Sequence, residues 1–317
     1  MSQPAAGSAL EPVVDFEGVS KWYGNVIGLN KLTVQVPPGI TGLLGPNGAG
    51  KSTFLQLATG QLKPSQGRVT VLGQRAWNNP ELNRRIGLCP EQDAFYEGMS
   101  GREFVTFCAR LSGMGPAQAR QAAEQTLDRM GLATQMNRAI RGYSKGMRQR
   151  TKLAQALVHD PEVLFLDEPL TGTDPVVRHE LVQIIVRIAA EGKAILISSH
   201  VLYEVQSITS NIVLVNRGRL VAEGDIRQIR DLIDTHPHRI ILKSTQGRNL
   251  AARLVREDDV VGVEIRQTDG ALLVETHAPD LFYQRLAEIA LDPATPIDEV
   301  YSDDDSLEAV FKYLVNT

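Results

Sequence analysis

The chain has 317 residues, of which 43% are hydrophobic, and a formal net charge of −4. That length accommodates two domains with real cores, and the mild negative charge argues against nucleic acid as the main partner. Its two cysteines, Cys89 and Cys108, show neither a CxxC nor metal-ligand spacing, and read as reduced core thiols.

Met1 to Pro12 is rich in Ala, Pro and Ser, with neither a basic start nor an apolar segment. It reads as a disordered lead-in rather than a secretion signal. No apolar run approaches the roughly 20 residues of a membrane-spanning helix, so a membrane role would come through a partner. Val13 to Val19 alternates as an edge strand, Lys21-Trp22-Tyr23-Gly24 follows, and Leu32 to Val36 reads as a second strand before the turn Pro37-Pro38-Gly39. Trp22 and Tyr23 fit either ordinary packing or a flat face for a nucleobase, and local sequence leaves both open.

Ile40 to Leu44 is an apolar run with the character of a buried strand, and Thr53 to Leu57 opens a helix. Between them Gly45-Pro46-Asn47-Gly48-Ala49-Gly50-Lys51-Ser52 fits G-x-x-x-x-G-K-[ST], in the strand–loop–helix context that the motif requires. The three glycines let the backbone approach a polyphosphate, and the helix N-terminus adds partial positive charge. Lys51 brings a full charge to the outer phosphates, and the Ser52 hydroxyl can ligate Mg²⁺.

Arg68 to Leu72 and Ile86 to Cys89 read as strands, the second ending at Pro90-Glu91-Gln92, which places Gln92 at a strand's carboxyl end. Glu103 to Met114 and Pro116 to Met130 have helical periodicity and predict a small helical subdomain. Tyr143-Ser144-Lys145-Gly146-Met147 leads into an Ala/Leu-rich helix that ends before Pro161, with Ser144 as its N-cap and hence a second anion-binding terminus. Val163 to Leu166 fits a strand buried on both faces, followed by Asp167-Glu168-Pro169. Asp167 there suits Mg²⁺ or its waters, and Glu168 suits polarising an attacking water. Thr171-Gly172-Thr173-Asp174-Pro175 is a turn before the helix His179 to Glu191. Ala194 to Ile197 is a further buried strand, closed by Ser198-Ser199-His200, and Ile212 to Asn216 with Leu220 to Glu223 forms a hairpin.

After His236-Pro237 the rhythm changes to strand, helix, two strands, helix, strand and a last helix (Leu307 to Val315). The βαββαβ order predicts a small α+β ferredoxin-like module. It carries no catalytic constellation, and Asp303-Asp304-Asp305 reads as a solvated loop.

Taken together, these residues resemble the ATP-binding subunits of ABC transporters from Val13 to about Leu232. Gly45 to Ser52 looks like the family's Walker A loop, Gln92 the Q-loop, Tyr143 to Met147 the signature, and Val163 to Asp167 the Walker B strand with Glu168 as base. Thr171 to Asp174 looks like the D-loop, His200 the switch histidine, and Tyr23 the adenine-stacking aromatic. The usual signature is Leu-Ser-Gly-Gly-Gln; here Lys145 and Met147 depart from it, and Thr173 replaces a Leu in the D-loop.

The resemblance implies an α/β P-loop NTPase with an antiparallel β subdomain and a helical subdomain (about 93–160). The expected organisation is a lead-in over 1–12, an ATP-binding domain over 13–234 and the accessory module over 235–317. It implies ATP bound by Tyr23, the loop residues Gly45, Pro46, Asn47, Gly48, Ala49, Gly50, Lys51 and Ser52, and Thr53. Mg²⁺ would be held by Ser52, Gln92 and, through water, Asp167. Glu168, His200 and Gln92 would be the catalytic set, with Gln92 also signalling to a membrane partner seated on the helical insert. Ser144, Lys145, Gly146 and Met147 would touch the ATP of a second ATP-binding subunit, a homodimer mate or paralogue, with Asp174 in the D-loop. The implied function is ATP hydrolysis that powers transport, export by subgroup, through a separate transmembrane permease at the cytoplasmic face of the membrane. A soluble ABC-type ATPase acting on ribosomes or DNA is the alternative.

Overall fold

The computed structural model describes residues 11–226, 237–266 and 269–302. Ten strands come first: β1 (Val14–Tyr23), β2 (Val26–Val36), β3 (Ile40–Leu44), β4 (Gln66–Val71), β5 (Gln74–Arg75), β6 (Ile86–Cys89), β7 (Val163–Asp167), β8 (Ala194–Ser199), β9 (Asn211–Asn216) and β10 (Arg219–Asp225). Among them run α1 (Lys51–Ala58), α2 (Pro80–Asn83), α3 (Gly101–Leu111), α4 (Pro116–Arg129), α5 (Lys145–Leu157), α6 (Pro175–Ala190) and α7 (Leu202–Gln206). All of this lies in the first of two compact units, Met1–Asp225; the second is Ile226–Thr317. The boundary expected near Asp234, and the lead-in as far as Leu10, fall outside the described residues.

A six-stranded sheet of order β10-β9-β3-β8-β7-β6 organises the first unit. Its inner strands run parallel, so β3, β6, β7 and β8 all end at one edge, the place where α/β sheets bind ligands. These strands are apolar on both sides because both faces are covered. Leu43, Val163, Phe165, Leu196 and Val213 share one core with α1 and the antiparallel sheet β2-β1-β4-β5. Their alternates Cys89, Leu164, Leu166, Ile195 and Ile197 share another with α3 to α6. The Phe16 and Phe54 rings stack at 4.0 Å, fixing α1 against β1. α3 and α4 form the expected helical insert, and Ser100 and Glu103 build a reciprocal capping box at the start of α3.

The second unit has β11 (His238–Lys243), α8 (Gly247–Leu254), β12 (Val260–Ile265), β13 (Leu272–Thr276), α9 (Pro279–Ile289) and β14 (Glu299–Ser302). Its strands form an antiparallel sheet of order β12-β13-β11-β14 around Ile240, Leu242, Val274 and Phe282. This is the split βαβ arrangement that the sequence predicts. Asp303 to Asp305 and the expected helix Leu307 to Val315 lie outside the described residues.

Candidate functional site

The carboxyl edge of the central sheet opens on a cleft of about 560 Å³. On one wall, β3 turns at Gly45 into the loop that feeds α1. Gly50 is the N-cap of α1 with φ +109°, and a Cβ there would stand 2.6 Å from the Gly28 carbonyl, so only glycine fits. No side chain caps α1 and no acid sits in its first turn, which leaves its amide groups for a ligand. Lys51 Nζ donates to the Gly45 carbonyl at 2.7 Å and the Pro46 carbonyl at 3.3 Å, and stands 3.4 Å from Glu168 Oε1. Both side chains of that ion pair are 7% exposed.

β7 and β8 supply the opposite wall, where their register sets Asp167 beside Ser198. Ser198 Oγ donates to Asp167 Oδ1 at 2.6 Å and accepts from the Glu168 amide at 2.9 Å. Burial raises the Asp167 carboxyl above its ordinary range, against the lowering effect of hydrogen bonds from Ser198 and Ser52. Glu168 adopts φ +47°, which turns the chain sharply at the strand's end. Its Oε2 accepts from Thr171 Oγ1 at 3.0 Å and meets His200 Nδ1 at 2.9 Å.

Of the residues singled out by sequence, Tyr23, Pro46, Asn47, Gly48, Gly50, Lys51, Ser52, Thr53, Glu168 and His200 line this cleft. Gly45 and Ala49 form the underside of the loop, with Ala49 buried. The half-exposed Tyr23 hydroxyl lies 3.3 Å from Thr53 Oγ1. Gln92 is exposed and outside the lining; its neighbour Glu91 lines the cleft instead. Val26, Ile27, Gly28 and Thr171 also line it, and sequence assigned them no contact. The signature residues are elsewhere. Ser144 caps α5, accepting from the Met147 amide, and Lys145 lies across Gly172. Gly146 packs on Val177, where a Cβ would come within 2.7 Å of a methyl carbon, and Asp174 caps α6 through the Val176 and Val177 amides.

Among the described residues, no group of three or more His, Cys, Asp or Glu side chains could hold a metal ion. The Ser52 hydroxyl is nonetheless near enough to the Asp167 carboxylate to act on its titration, and together they are an oxygen donor set of the kind that suits a hard cation.

The model of the ABC transporter family matches residues 29–171. The daunorubicin/doxorubicin resistance ATP-binding protein DrrA of Streptomyces peucetius is 31% identical over 87% of this chain and 84% of its own length. The chain belongs to the ABC transporter family, as one of its ATP-binding proteins. The bacitracin transport ATP-binding protein BcrA of Bacillus licheniformis is 29% identical over 96% of this chain and 98% of its own, so the likeness extends across the second unit. A solved structure described as the ATP binding subunit of an ABC transporter superposes with a TM-score of 0.63 at 27% identity, covering 70% of this chain and 93% of that one. This ABC protein is therefore an ATPase subunit built for transport, on the P-loop NTPase fold. Among its described residues no helix is long and apolar enough to cross a membrane.

Proposed function

We propose that this chain is the motor subunit of an exporter whose membrane-spanning permease is a separate polypeptide, and that it works at the cytoplasmic face in a pair of ATP-binding subunits. The observation that carries the reading is Glu168: its carboxylate stands in the cleft between Lys51 and His200, beside the glycine loop. A base in that position polarises water for in-line attack on the terminal phosphate. Lys51 and the loop amides neutralise the charge that develops on that phosphate. His200 orients the Glu168 carboxylate from one side and Thr171 from the other. Ser52 and Asp167 would hold Mg²⁺, which would offset the negative charge of the phosphates. Tyr23, in the lining of the cleft, would offer its ring to the nucleobase.

Ser144 to Met147 lie outside the cleft, which supports their use on nucleotide held by a second subunit. The first amides of α5, of which the Ser144 side chain takes only that of Met147, suit that role. The resistance and transport proteins among the relatives favour export over action on ribosomes or DNA. The second unit is read as an accessory module, and deleting everything after Asp234 tests whether it gates the ATPase. For the main proposal, the full chain is tagged and purified from detergent-solubilised membranes. Recovery of a multi-span protein with Mg·ATP hydrolysis in the eluate supports it; recovery with ribosomes alone overturns it.

A further inference from the structure

Glu168 is held from two sides: Thr171, in the turn after β7, and His200, after β8. The segments bearing these two residues are tied together again by a charge pair that no sequence motif marks. Arg178, in the first turns of α6, donates from Nη2 to the Thr173 carbonyl at 3.2 Å, and its Nε stands 3.4 Å from Glu204 Oε1. Glu204, on α7, is 5% exposed, and its Oε2 accepts from Ser199 Oγ at 3.0 Å. Ser199 immediately precedes His200, and its Oγ accepts from the Val201 amide at 2.9 Å. The contacts thus close a ring through Glu168, Thr171, Thr173, Arg178, Glu204, Ser199 and His200.

A buried carboxylate is costly unless a cation and hydrogen bonds compensate it, and an apolar pair of similar volume generally holds two helices as well or better. Packing alone therefore gives little reason for the pair. Geometry gives one, because the single planar guanidinium of Arg178 reaches the turn through a hydrogen bond from Nη2 and α7 through an ion pair at Nε, which makes no hydrogen bond. We propose that Arg178 and Glu204 are positioning residues for ATP hydrolysis: their pairing fixes the spacing between the Thr171–Asp174 turn and the Ser198–Val201 segment, and through it the direction of the Glu168 carboxylate. This rests on the reading of Glu168 as the group that polarises water.

The test uses the full chain, measuring kcat and KM for Mg·ATP and the thermal midpoint of Arg178→Met, Arg178→Lys, Glu204→Gln and the double variant Arg178→Met/Glu204→Leu. A small misplacement of a catalytic group costs on the order of 10–100-fold, so kcat of Arg178→Met and Glu204→Gln should fall about 10-fold or more. KM should stay within about two-fold, because the loop around Lys51 is untouched. Arg178→Lys should recover part of kcat. The double variant should recover thermal stability without recovering kcat, which a merely structural pair would not do. If Arg178→Met fails to fold, Arg178→Lys and Glu204→Gln carry the test. Wild-type kcat in the folded single variants, or kcat that returns with stability in the double variant, overturns the proposal. Glu168→Gln is assayed beside them. If it keeps wild-type turnover, the reading of Glu168 falls and this proposal with it; if it is inactive while the Arg178 and Glu204 variants are normal, only the positioning role falls.

Discussion

Lys51 and Glu168 face each other across the cleft at 3.4 Å, one from the start of α1 and the other from the end of β7. The ammonium is also held by two loop carbonyls, and the carboxylate by Thr171 and His200. Each charge thus has its place set by groups other than its counterpart, so one can be altered while the other keeps its position.

Replacing Glu168 with Gln should leave nucleotide binding within a few-fold of wild type. Turnover should drop by roughly 10²–10⁴, the usual contribution of a general base. Phosphate release under steady-state conditions measures the second, and titration with a fluorescent ATP analogue measures the first. Wild-type phosphate release would remove Glu168 from the base role.

Lys51→Ala takes away a charge-assisted contact to phosphate worth about 1.5–3 kcal/mol, so affinity for the analogue should weaken by roughly 10–100-fold. It also strips the buried Glu168 carboxylate of its nearest cation, so the thermal midpoint should fall. Equal affinity in the two proteins would contradict the role of the loop lysine.

Asp167 gives a pH prediction. Burial holds its carboxyl above the ordinary range, so the folded state binds this proton more tightly than the unfolded chain does. The contribution to stability is therefore fully present below the unfolded value and is lost as pH rises through the folded one. Asp167→Asn should melt at a higher temperature than wild type near neutral pH, with the gap closing as the solution is acidified. Calorimetry across that range checks the sign. The same variant should lose Mg²⁺-dependent hydrolysis.

Burial pushes the Cys89 thiol up to about 12 and the Cys108 thiol up to about 11. Since the thiolate is the reactive form, neither should react quickly with a disulfide reagent at mildly alkaline pH. Both should react once guanidinium unfolds the chain. Rapid labelling of the native protein would mean that one of the two positions is open to solvent.

The glycine loop, the Asp167-Glu168 strand end and the strand before His200 were legible because each is a short run whose chemistry and fold coincide. The cleft's outer wall was not. β1 continues to Tyr23 and β2 begins at Val26, paired Tyr23 to Val26, whereas the sequence suggested strands from Val13 to Val19 and Leu32 to Val36. Register shifts between Phe16 and Trp22 interrupt the alternation that marks a strand. The same hairpin brings Val26, Ile27 and Gly28 to the cleft. Helix α6 starts at Pro175 rather than His179, although Asp174 followed by Pro175 is a recognisable cap and first-turn pair. Arg178 and Glu204 have no signature in the sequence, because a pairing between a residue after the Thr171–Asp174 turn and one on α7 leaves no spacing to read.

The backbone at Glu168 bears on how its variants are to be compared. A residue with a side chain at φ +47° sits in a conformation that only glycine adopts at no cost. Glutamine at that place inherits the same burden and makes a fair control for the lost charge. Glycine would relieve it, so a more robust but inactive Glu168→Gly protein would reflect eased main-chain geometry as well as the missing carboxylate.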